Sequence, residues 1–318
     1  MIIVTGGAVF IGSNIVAYLN AHTGEDVLVV DDLTDGTKYR NLVDATICDY
    51  LDKDDFLRRI QQNESFGQLR AIIHQGACSA TTEWDGKYMM DVNYNYSCAL
   101  LEYCQRHKIP LIYASSAAVY GGSDTFVERP EHEKPLNVYG YSKLLFDQKV
   151  RRDMASATAQ IAGLRYFNVY GPNEHHKGSM ASVAYHFSNQ LLDGGVCRLF
   201  EGHDGFRSGE QRRDFVYVDD ICKVVGWLLE NPQTSGVFNA GTGRSQTFND
   251  VAQAVIKWHG RGQVQYVPFP EHLVGRYQSF TEADLSLLRQ AGYTGEFVDV
   301  ETGTHSYLDR LAGGTDSQ

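Results

Sequence analysis

The first two-thirds of the chain alternates short apolar runs with segments that carry apolar residues at helical spacing. Most of the runs are continuously apolar, which is typical of strands buried on both faces of a sheet. Between two of them, Ile11, Ile15 and Leu19 recur every four residues, as on one face of a helix. This alternation predicts right-handed crossovers and an α/β fold with a Rossmann-type, doubly wound parallel sheet. The predicted strands are residues 1–4, 26–30, 46–48, 71–74, 111–114 and 161–165.

The pattern changes after Gly171. Residues 173–213 are rich in Gly, His and Arg and have weak periodicity, whereas 214–231 return to a strand, a turn and a helix. A short strand (237–240) and a helix (247–258) follow. We therefore predict a Rossmann cofactor-binding domain and a smaller, discontinuous α+β substrate-binding domain. The first comprises 1–170 and about 214–245, and the second 171–213 and 246–312.

Composition excludes several classes of protein. The 318 residues carry a net charge of −11, which argues against nucleic acid or an anionic membrane as the main partner. The six cysteines are scattered without a CxxC pair, which indicates reduced thiols. The N-terminus lacks a basic signal region and no apolar run approaches 18 residues. We expect a cytoplasmic protein without membrane insertion.

Residues 4–12, VTGGAVFIG, have the pattern of a phosphate-binding turn between a strand and a helix. Gly6 and Gly12 fit the spacing Gly-x-x-Gly-x-x-Gly, but Val9 stands at the middle position. A glycine there lets the backbone approach a pyrophosphate, so a β-branched side chain is expected to crowd a dinucleotide. A plain glycine-rich turn without a ligand is the alternative for this motif alone.

Charged residues after the second and third predicted strands bear on the choice of dinucleotide. Asp31 and Asp32 lie about 20 residues beyond the glycines, where a carboxylate binds the adenosine ribose and favours NAD. Lys38 follows in a DGTK loop and would favour a 2′-phosphate, although spacing alone favours a solvated loop lysine. Asp49 is expected at the end of the third strand, as an adenine contact or a turn residue.

Residues 139–143, YGYSK, place Tyr139 and Lys143 four residues apart, on one face of a helix. A nearby ammonium is expected to lower the tyrosine pKa toward working pH, which suits an acid/base. Ser116 ends a buried strand, where its hydroxyl can bind a reacting oxygen. Each motif alone is weak, and Ser116 alone could be a turn or capping serine. The glycine turn, the serine and the Tyr-x-x-x-Lys pair in this order form a specific signal for dinucleotide-dependent chemistry.

These motifs resemble those of the extended short-chain dehydrogenase/reductases, the family of nucleotide-sugar epimerases and dehydratases. Longer stretches are similar to the heptose 6-epimerases within that family, and the likeness runs from Met1 to about Leu308. The stretches are CSATTEWDGKYMMD (78–91), KPLNVYGYSK (134–143), RYFNVYGPNEHHKGSMASVAYH (165–186), FEGHDGF (200–206), RRDFVYVDD (212–220) and GRYQSFTEADL (275–285).

The resemblance implies epimerisation at C6″ of ADP-D-glycero-D-manno-heptose, a step in lipopolysaccharide core precursor synthesis. Hydride leaves C6″, the resulting 6″-ketone turns, and the same hydride returns to its other face. Because the hydroxyl lies on opposite sides in the two epimers, the reaction requires two acid/base groups. The resemblance implies Tyr139 and Lys177 for these roles. From the sequence alone, a diphosphate-binding cation is an equally good interpretation of Lys177.

The resemblance also implies NADP as cofactor, with NAD as the alternative, no metal site, and a ring-like homo-oligomer, a pentamer. Gly6 and Gly12 belong to the cofactor turn; further cofactor positions are Phe10, Ile11, Asp31, Asp32, Lys38, Lys53, Gln75, Gly76, Ala77, Cys78, Ser79, Asn93, Lys143, Val169 and Lys177. Substrate positions are Asn168, Ser179, His186, Phe200, Glu201, Gly202, His203, Arg213 and Tyr277. Arg213 suits a phosphate clamp, with a surface arginine as the alternative.

Val9 and Gln75 depart from the family pattern, and two alternative functions are compatible with the motifs. Val9 replaces the middle glycine, and Gln75 stands where an acidic residue is expected. Another nucleotide-sugar epimerase or a 4,6-dehydratase would share the fold, but the dehydratases usually carry Thr-Asp-Glu where this chain has Ser-Ala-Ala (116–118). A non-catalytic dinucleotide-binding scaffold, with a turn impaired by Val9, is the third hypothesis.

Overall fold

A computed structural model describes residues 1–271 and 277–315, with side chains up to residue 313. The strands are β1 (Ile2–Thr5), β2 (Val27–Asp31), β3 (Asp49–Asp52), β4 (Ala71–His74), β5 (Leu111–Ser116), β6 (Ile161–Tyr166), β7 (Asn168–Tyr170), β8 (Val196–Phe200), β9 (Arg212–Arg213), β10 (Phe215–Tyr217), β11 (Gly236–Ala240), β12 (Gln246–Thr247) and β13 (Gln263–Val267). The helices are α1 (Phe10–His22), α2 (Lys53–Gln61), α3 (Gly86–Met89), α4 (Tyr96–His107), α5 (Val138–Asp153), α6 (Val183–Gly194), α7 (Val218–Glu230), α8 (Phe248–His259), α9 (Ser286–Gln290) and α10 (Val300–Thr315).

Seven strands form one sheet in the order β11-β6-β5-β4-β1-β2-β3, and all neighbouring strands are parallel. This confirms the predicted doubly wound Rossmann-type sheet. The chain runs outward from β1 to β3 and then restarts at β4 on the other side of β1. In such sheets a crevice opens outside the carboxyl ends of the strands where the order reverses. The topology therefore places a binding crevice above β1 and β4.

Both faces of the sheet are buried, as the continuous apolar runs predict. Ile2 and Val4 pack on one face with α1 and α7, while Ile3 points to the other face with α2, α4 and α5. The alternation follows from the two-residue period of a strand. Because helices cover both faces, the polar ends of the strands are the part of the sheet open to a ligand.

The third strand lies later than predicted. The sequence prediction was 46–48 with Asp49 at its end, but β3 is Asp49–Asp52, and Asp49 begins it. Parallel pairing with β2 sets this register, with Leu28 opposite Asp49. The strand is at the sheet edge and is only half-buried, so its polar residues give no apolar signal. Asp49 therefore lies at the end of β3 that is remote from the crevice.

A second group of elements packs beside the sheet. Helices α6, α8 and α10 share an apolar cluster with β8 and β10, and β8 pairs in parallel with β13. Helix α6 lies within 173–213, where the periodicity is weak. Its Ser182 accepts the Tyr185 amide as N-cap, and Gly195 has φ +72 as C-cap. Strand β7 pairs with β10, which brings this group against the carboxyl end of β6.

Within 1–271 and 277–315, no helix is long and apolar enough to cross a membrane. All six cysteines carry free thiols.

The turn between β1 and α1 predicts a stability effect. A Cβ on Gly12 would overlap the carbonyl oxygen of Gly6. We expect Gly12→Ala to lower the free energy of unfolding by about 2 kcal/mol or more, because backbone on both sides must shift. A Cβ on Gly194, near the end of α6, meets no atom within 4 Å. Gly194→Ala is the control and is expected to change stability by less than about 1 kcal/mol. Equal urea midpoints and m-values for G12A and the unsubstituted protein would contradict this account.

Candidate active site

A cavity of about 530 Å³ opens at the carboxyl ends of the central strands. A second cavity of about 200 Å³ adjoins it, and Val9, Lys38, Ala77 and Cys78 line both. Predicted site residues lining the first cavity are Phe10, Ile11, Lys38, Gln75, Ala77, Cys78, Ser79, Ser116, Tyr139, Lys143, Val169 and Lys177. Those lining the second are Gly6, Asp31, Asp32, Lys38, Lys53, Gly76, Ala77 and Cys78. The fold thus gathers nearly all the predicted cofactor and catalytic positions into one continuous crevice.

The glycine turn has the close packing that its sequence implies. Gly6 has φ +65, and a Cβ there would lie 2.5 Å from the Gly76 nitrogen. Val9 has an extended backbone, with φ −90, so valine is not strained at the middle position. It is the N-cap of α1, and its side chain makes no capping hydrogen bond. The first amides of α1 are therefore left for an anionic ligand, while the Val9 side chain lines both cavities.

Two ion pairs line the second cavity. The Asp31 carboxylate accepts hydrogen bonds from the Ala8 amide (2.7 Å) and from Lys38 Nζ (2.8 Å). Asp32 pairs with Lys53, and this contact holds the pKa of the Asp32 carboxyl well below its usual range. Lys38 is only 12% exposed, so it is not the solvated loop lysine that spacing favours. Both lysines are held at the same end of the crevice.

Tyr139 and Lys143 lie one turn apart on α5, which begins after the N-cap Asn137. Lys143 Nζ donates to the Ala114 carbonyl (2.8 Å) at the end of β5, and both residues line the first cavity. Burial lowers the Lys143 pKa to about 8 despite the opposing charge of Asp147. The Lys143 ammonium is therefore anchored to the strand that also carries Ser116.

The expectation that Lys143 lowers the Tyr139 pKa is wrong. Burial raises the pKa of the phenol, and a hydrogen bond with the Ser116 side chain opposes that rise. Lys143 is bonded to the Ala114 carbonyl, and desolvation of the phenolate decides the direction of the shift in the Tyr139 pKa. Tyr139 therefore holds its proton at neutral pH.

Lys177 enters the first cavity from the turn His175–Met180. Its Nζ lies 4.9 Å from the Phe10 ring centroid and 3.9 Å from a Glu174 carboxylate oxygen. Burial lowers the Lys177 pKa, and Glu174 opposes that shift. Gly178, with φ +52, makes the kink that turns the chain back toward α6. Lys177 and Tyr139 thus reach one cavity from separate segments of the chain.

The loop after β4 lines the crevice between these groups. The Gln75 Oε1 accepts from the Tyr166 hydroxyl (3.0 Å), while its buried Nε2 has no partner among the described residues. Asn93 lines neither cavity but bonds both the amide and the carbonyl of Cys78, at 2.8 and 2.9 Å. Asn93 therefore shapes the loop, and Gln75 offers the crevice a free donor.

The predicted substrate residues lie beyond the first cavity, around Arg213. The Arg213 guanidinium is buried, 4.8 Å from the Tyr277 ring centroid, and burial lowers its pKa. Phe200 and Tyr277 contact Phe269, and His203 stacks on Phe269 with centroids 4.0 Å apart. A buried guanidinium beside flat aromatic rings suits a phosphate next to a nucleobase. Asn168 lies between Phe167 and Val169, which line the first cavity, and it pairs with Phe215, two residues after Arg213.

The remaining predicted substrate positions do not line either cavity. Glu201 and Gly202 are exposed in the loop after β8, and Ser179 is exposed beside Lys177. His186 is half-buried on α6 against Tyr185. The side chains described by the structure contain no group of three or more His, Cys, Asp or Glu residues able to hold a metal ion.

Sequence reasoning missed Phe269, His176 and Tyr166. Phe269 follows β13 in an irregular segment and contacts Phe200, His203 and Tyr277. His176 and Tyr166 line the first cavity. The only available signals were the position of Tyr166 at the end of a strand and that of His176 beside Lys177.

Comparisons with known proteins agree with this geometry. Residues 2–241 match the model of the NAD dependent epimerase/dehydratase family. The chain belongs to this family. Over 312 residues, covering 98% of both chains, it is 61% identical to the ADP-L-glycero-D-manno-heptose-6-epimerase of Alkalilimnicola ehrlichii. The resemblance found in the sequence motifs is thereby confirmed.

Two solved structures of the family are similar along the whole chain. The Helicobacter pylori ADP-L-glycero-D-manno-heptose-6-epimerase has a TM-score of 0.84 and 30% identity, with 98% of this chain and 96% of that chain covered. The Thermus thermophilus UDP-glucose 4-epimerase in complex with NAD has a TM-score of 0.78 and 28% identity, with 98% and 99% covered. The protein is therefore an enzyme of the epimerase class with a nicotinamide dinucleotide as cofactor.

The position of Val9 predicts an effect on cofactor affinity. We expect Val9→Gly to tighten dinucleotide binding by about three- to tenfold, because removing the side chain lets the ligand approach the backbone. Binding to the apoprotein is measured by calorimetry. Val43→Gly removes an exposed valine that lines neither cavity and is the control. Unchanged or weaker binding by V9G would show that Val9 does not restrict the pyrophosphate site.

Proposed function

We propose that the protein interconverts the C6″ epimers of ADP-glycero-D-manno-heptose in the cytoplasm, for lipopolysaccharide core precursors, using bound NADP. The single observation that carries this proposal is the meeting of Tyr139 and Lys177 in one cavity that continues into a dinucleotide crevice. A relative with 61% identity over nearly the whole chain carries this activity in its name.

The residues of the crevice fit a dinucleotide. Gly6 permits close approach, the amides of α1 are free, and Gln75 Nε2 is a buried donor without a partner among the described residues. A bound nicotinamide dinucleotide would supply the acceptor and the later donor of the C6″ hydride. We assign Lys38 and Lys53 to the 2′-phosphate of NADP, because both ammonium groups line the adenosine end of the crevice.

The acid/base roles follow from the two environments. Tyr139 keeps its proton because burial raises its pKa, so in its resting form it is a donor toward a ketone oxygen. Lys177 loses its proton more readily than a solvated lysine because burial lowers its pKa, which suits a base toward the C6″ hydroxyl. In the opposite direction the two roles exchange. The Ser116 side chain faces the Tyr139 phenol, and Lys143 is bonded to the Ala114 carbonyl on the same strand.

We assign the ADP part of the substrate to the region around Arg213. A buried guanidinium can bind a diphosphate, and Tyr277 and Phe269 offer aromatic faces to the adenine. With this assignment, residues 1–170 and about 214–245 bind the cofactor, and 171–213 with 246–312 bind the sugar nucleotide. Assembly into a pentameric ring stays a prediction, which light scattering tests.

The direct test is turnover. Purified protein is incubated with ADP-D-glycero-D-manno-heptose, and the C6″ epimers are separated by chromatography. We expect conversion without added dinucleotide, because the hydride is returned to the carbon from which it came. Denatured protein is expected to release NADP. A folded protein that holds NADP but leaves this substrate unchanged, while converting a UDP-sugar, would assign it to another nucleotide-sugar epimerase.

Replacement of Lys177 tests its role as the second acid/base. We expect Lys177→Met to lower kcat by about 10²- to 10⁴-fold, the usual contribution of a positioned proton-transfer group. Lys87, whose side chain is 87% exposed on α3, provides the control Lys87→Met, with kcat unchanged. If K177M raises KM and leaves kcat intact, Lys177 is a diphosphate-binding cation.

Replacement of Lys38 tests the choice of NADP. We expect Lys38→Ala to weaken NADP binding by about ten- to 100-fold while NAD binding changes much less, because a charge-assisted hydrogen bond to the 2′-phosphate is lost. Both affinities are measured on apoprotein. Arg40→Ala removes a cation of the same turn that lines neither cavity and serves as the control. An equal loss for both dinucleotides would assign Lys38 to the structure of the turn around Asp31.

A further inference from the structure

Helix α5 presents three polar side chains in succession to the end of β5. Tyr139, Lys143 and Asp147 are spaced by four residues and therefore share one face of the helix. Each meets one of three consecutive strand residues. Tyr139 is bonded with Ser116, Lys143 Nζ donates to the Ala114 carbonyl, and the Ser115 hydroxyl donates to Asp147 Oδ2 (2.9 Å). The first two contacts belong to the acid/base group, and the third has no part in the proposed chemistry.

Asp147 is fully buried, and among the described residues its carboxylate forms side-chain hydrogen bonds with the sheet alone. Its Oδ1 accepts from the Tyr113 hydroxyl (2.9 Å), and its Oδ2 accepts from Ser115 and from Arg165 Nε (2.9 Å). Tyr113 and Ser115 are two residues apart on β5, and Arg165 is on β6. One carboxylate therefore fixes α5 to two strands directly behind the cavity. Such a fully satisfied buried group favours a single arrangement of its neighbours.

Asp147 forms a buried ion pair with Arg165. Arg165 is also fully buried and makes a second ion pair with Glu133, so the guanidinium lies between two carboxylates. Its plane also lies over the Tyr120 ring, at 5.0 Å. The loss of one partner would leave a buried charge uncompensated, which is costly. The network thus places a carboxylate, paired with Arg165, one helical turn beyond Lys143.

We propose that Asp147 is a positioning residue for the reaction: it fixes the end of β5 against α5 so that Ser116, Tyr139 and Lys143 keep their relative places, and it supplies the negative charge that faces the Lys143 ammonium. This inference rests on the proposed function, since it needs Tyr139 and Lys143 to take part in the chemistry. Asp147 itself does not line the cavity and contacts no reacting group.

The groups that face Lys143 decide whether the loss of the Asp147 charge raises or lowers the Lys143 pKa. Asp147 on α5 and the Cys78 thiol on the loop after β4 favour its ammonium, while burial opposes it. His74 on β4 also faces Lys143, and its imidazole is neutral because burial lowers its pKa to about 3. Removal of the Asp147 charge is therefore expected to lower the Lys143 pKa.

The test compares Asp147→Asn with Asp220→Asn. Asp220 is an equally buried carboxylate on α7 that accepts from Lys223 and from the Val298 amide and does not line either cavity. We expect D147N to lower kcat by about ten- to 100-fold, since small misplacement of reacting groups is costly. We also expect the high-pH limb of the kcat/KM profile to move to lower pH. D220N is expected to lose stability while keeping both kcat and the position of that limb.

Ser115→Ala removes one hydrogen bond of Asp147 and keeps its charge. We expect S115A to lower kcat by about three- to tenfold, with the high-pH limb in place. This variant keeps the inference testable if D147N does not fold. If both folded variants retain kcat within twofold, or if S115A retains it when D147N does not fold, Asp147 has no positioning role.

A second measurement separates this inference from the proposed function. The Lys143 side chain is titrated by NMR in protein with isotope-labelled lysine, and Lys143→Arg assigns its signal. We expect D147N to titrate at lower pH than the unsubstituted protein and D220N, whether or not the protein converts ADP-heptose. Identical titration curves would overturn the electrostatic part of the inference. Absence of turnover in the unsubstituted protein would count against the proposed function alone.

Discussion

The site depends on the close packing of two backbones at the point where the strand order reverses. A Cβ on Gly6 would lie 2.5 Å from the Gly76 nitrogen, so the turns after β1 and β4 meet without side chains between them. The Gly76 amide also lies within hydrogen-bond distance of Thr5 Oγ1 (3.3 Å). This contact fixes where α1 begins, because the turn between Gly6 and Phe10 has only three residues. The free amides of that helix and the residues after β4 then face one crevice.

Four lysines and three aspartates line the two cavities of a chain that is acidic as a whole. Lys38, Lys53, Lys143, Lys177 and Arg213 all face the crevice or the region beside it, although the net charge is −11. Each is held by a local contact: a carboxylate, a carbonyl or an aromatic ring. Burial lowers the pKa of Lys143, Lys177 and Arg213, because their charges are partly removed from water. A dianionic sugar nucleotide and a dinucleotide phosphate would compensate these charges on binding.

The departures from the family pattern concern the ligand and leave the fold intact. Val9 adopts an extended backbone that any residue accepts, so the turn keeps its shape and only the crevice loses space. Gln75 keeps one hydrogen bond, to Tyr166, and offers an amide donor where an acidic residue is expected. Both residues therefore affect the fit of the dinucleotide. Among the described residues, neither Val9 nor Gln75 makes a hydrogen bond to Tyr139.

The sequence by itself determined the doubly wound sheet, the glycine turn and the family, because these depend on local periodicity and on motifs a few residues long. It also gave correct positions for Tyr139, Lys143 and Ser116, since spacing along one helix and one strand places them. It did not locate β3, an edge strand without an apolar run, or the bounds of α6, whose start depends on the Ser182 cap. Only the tertiary structure decided the environment of each charge. Lys38 pairs with Asp31, the Tyr139 pKa is raised, and Asp147 lies behind Lys143, because partners and burial depend on how the segments pack together.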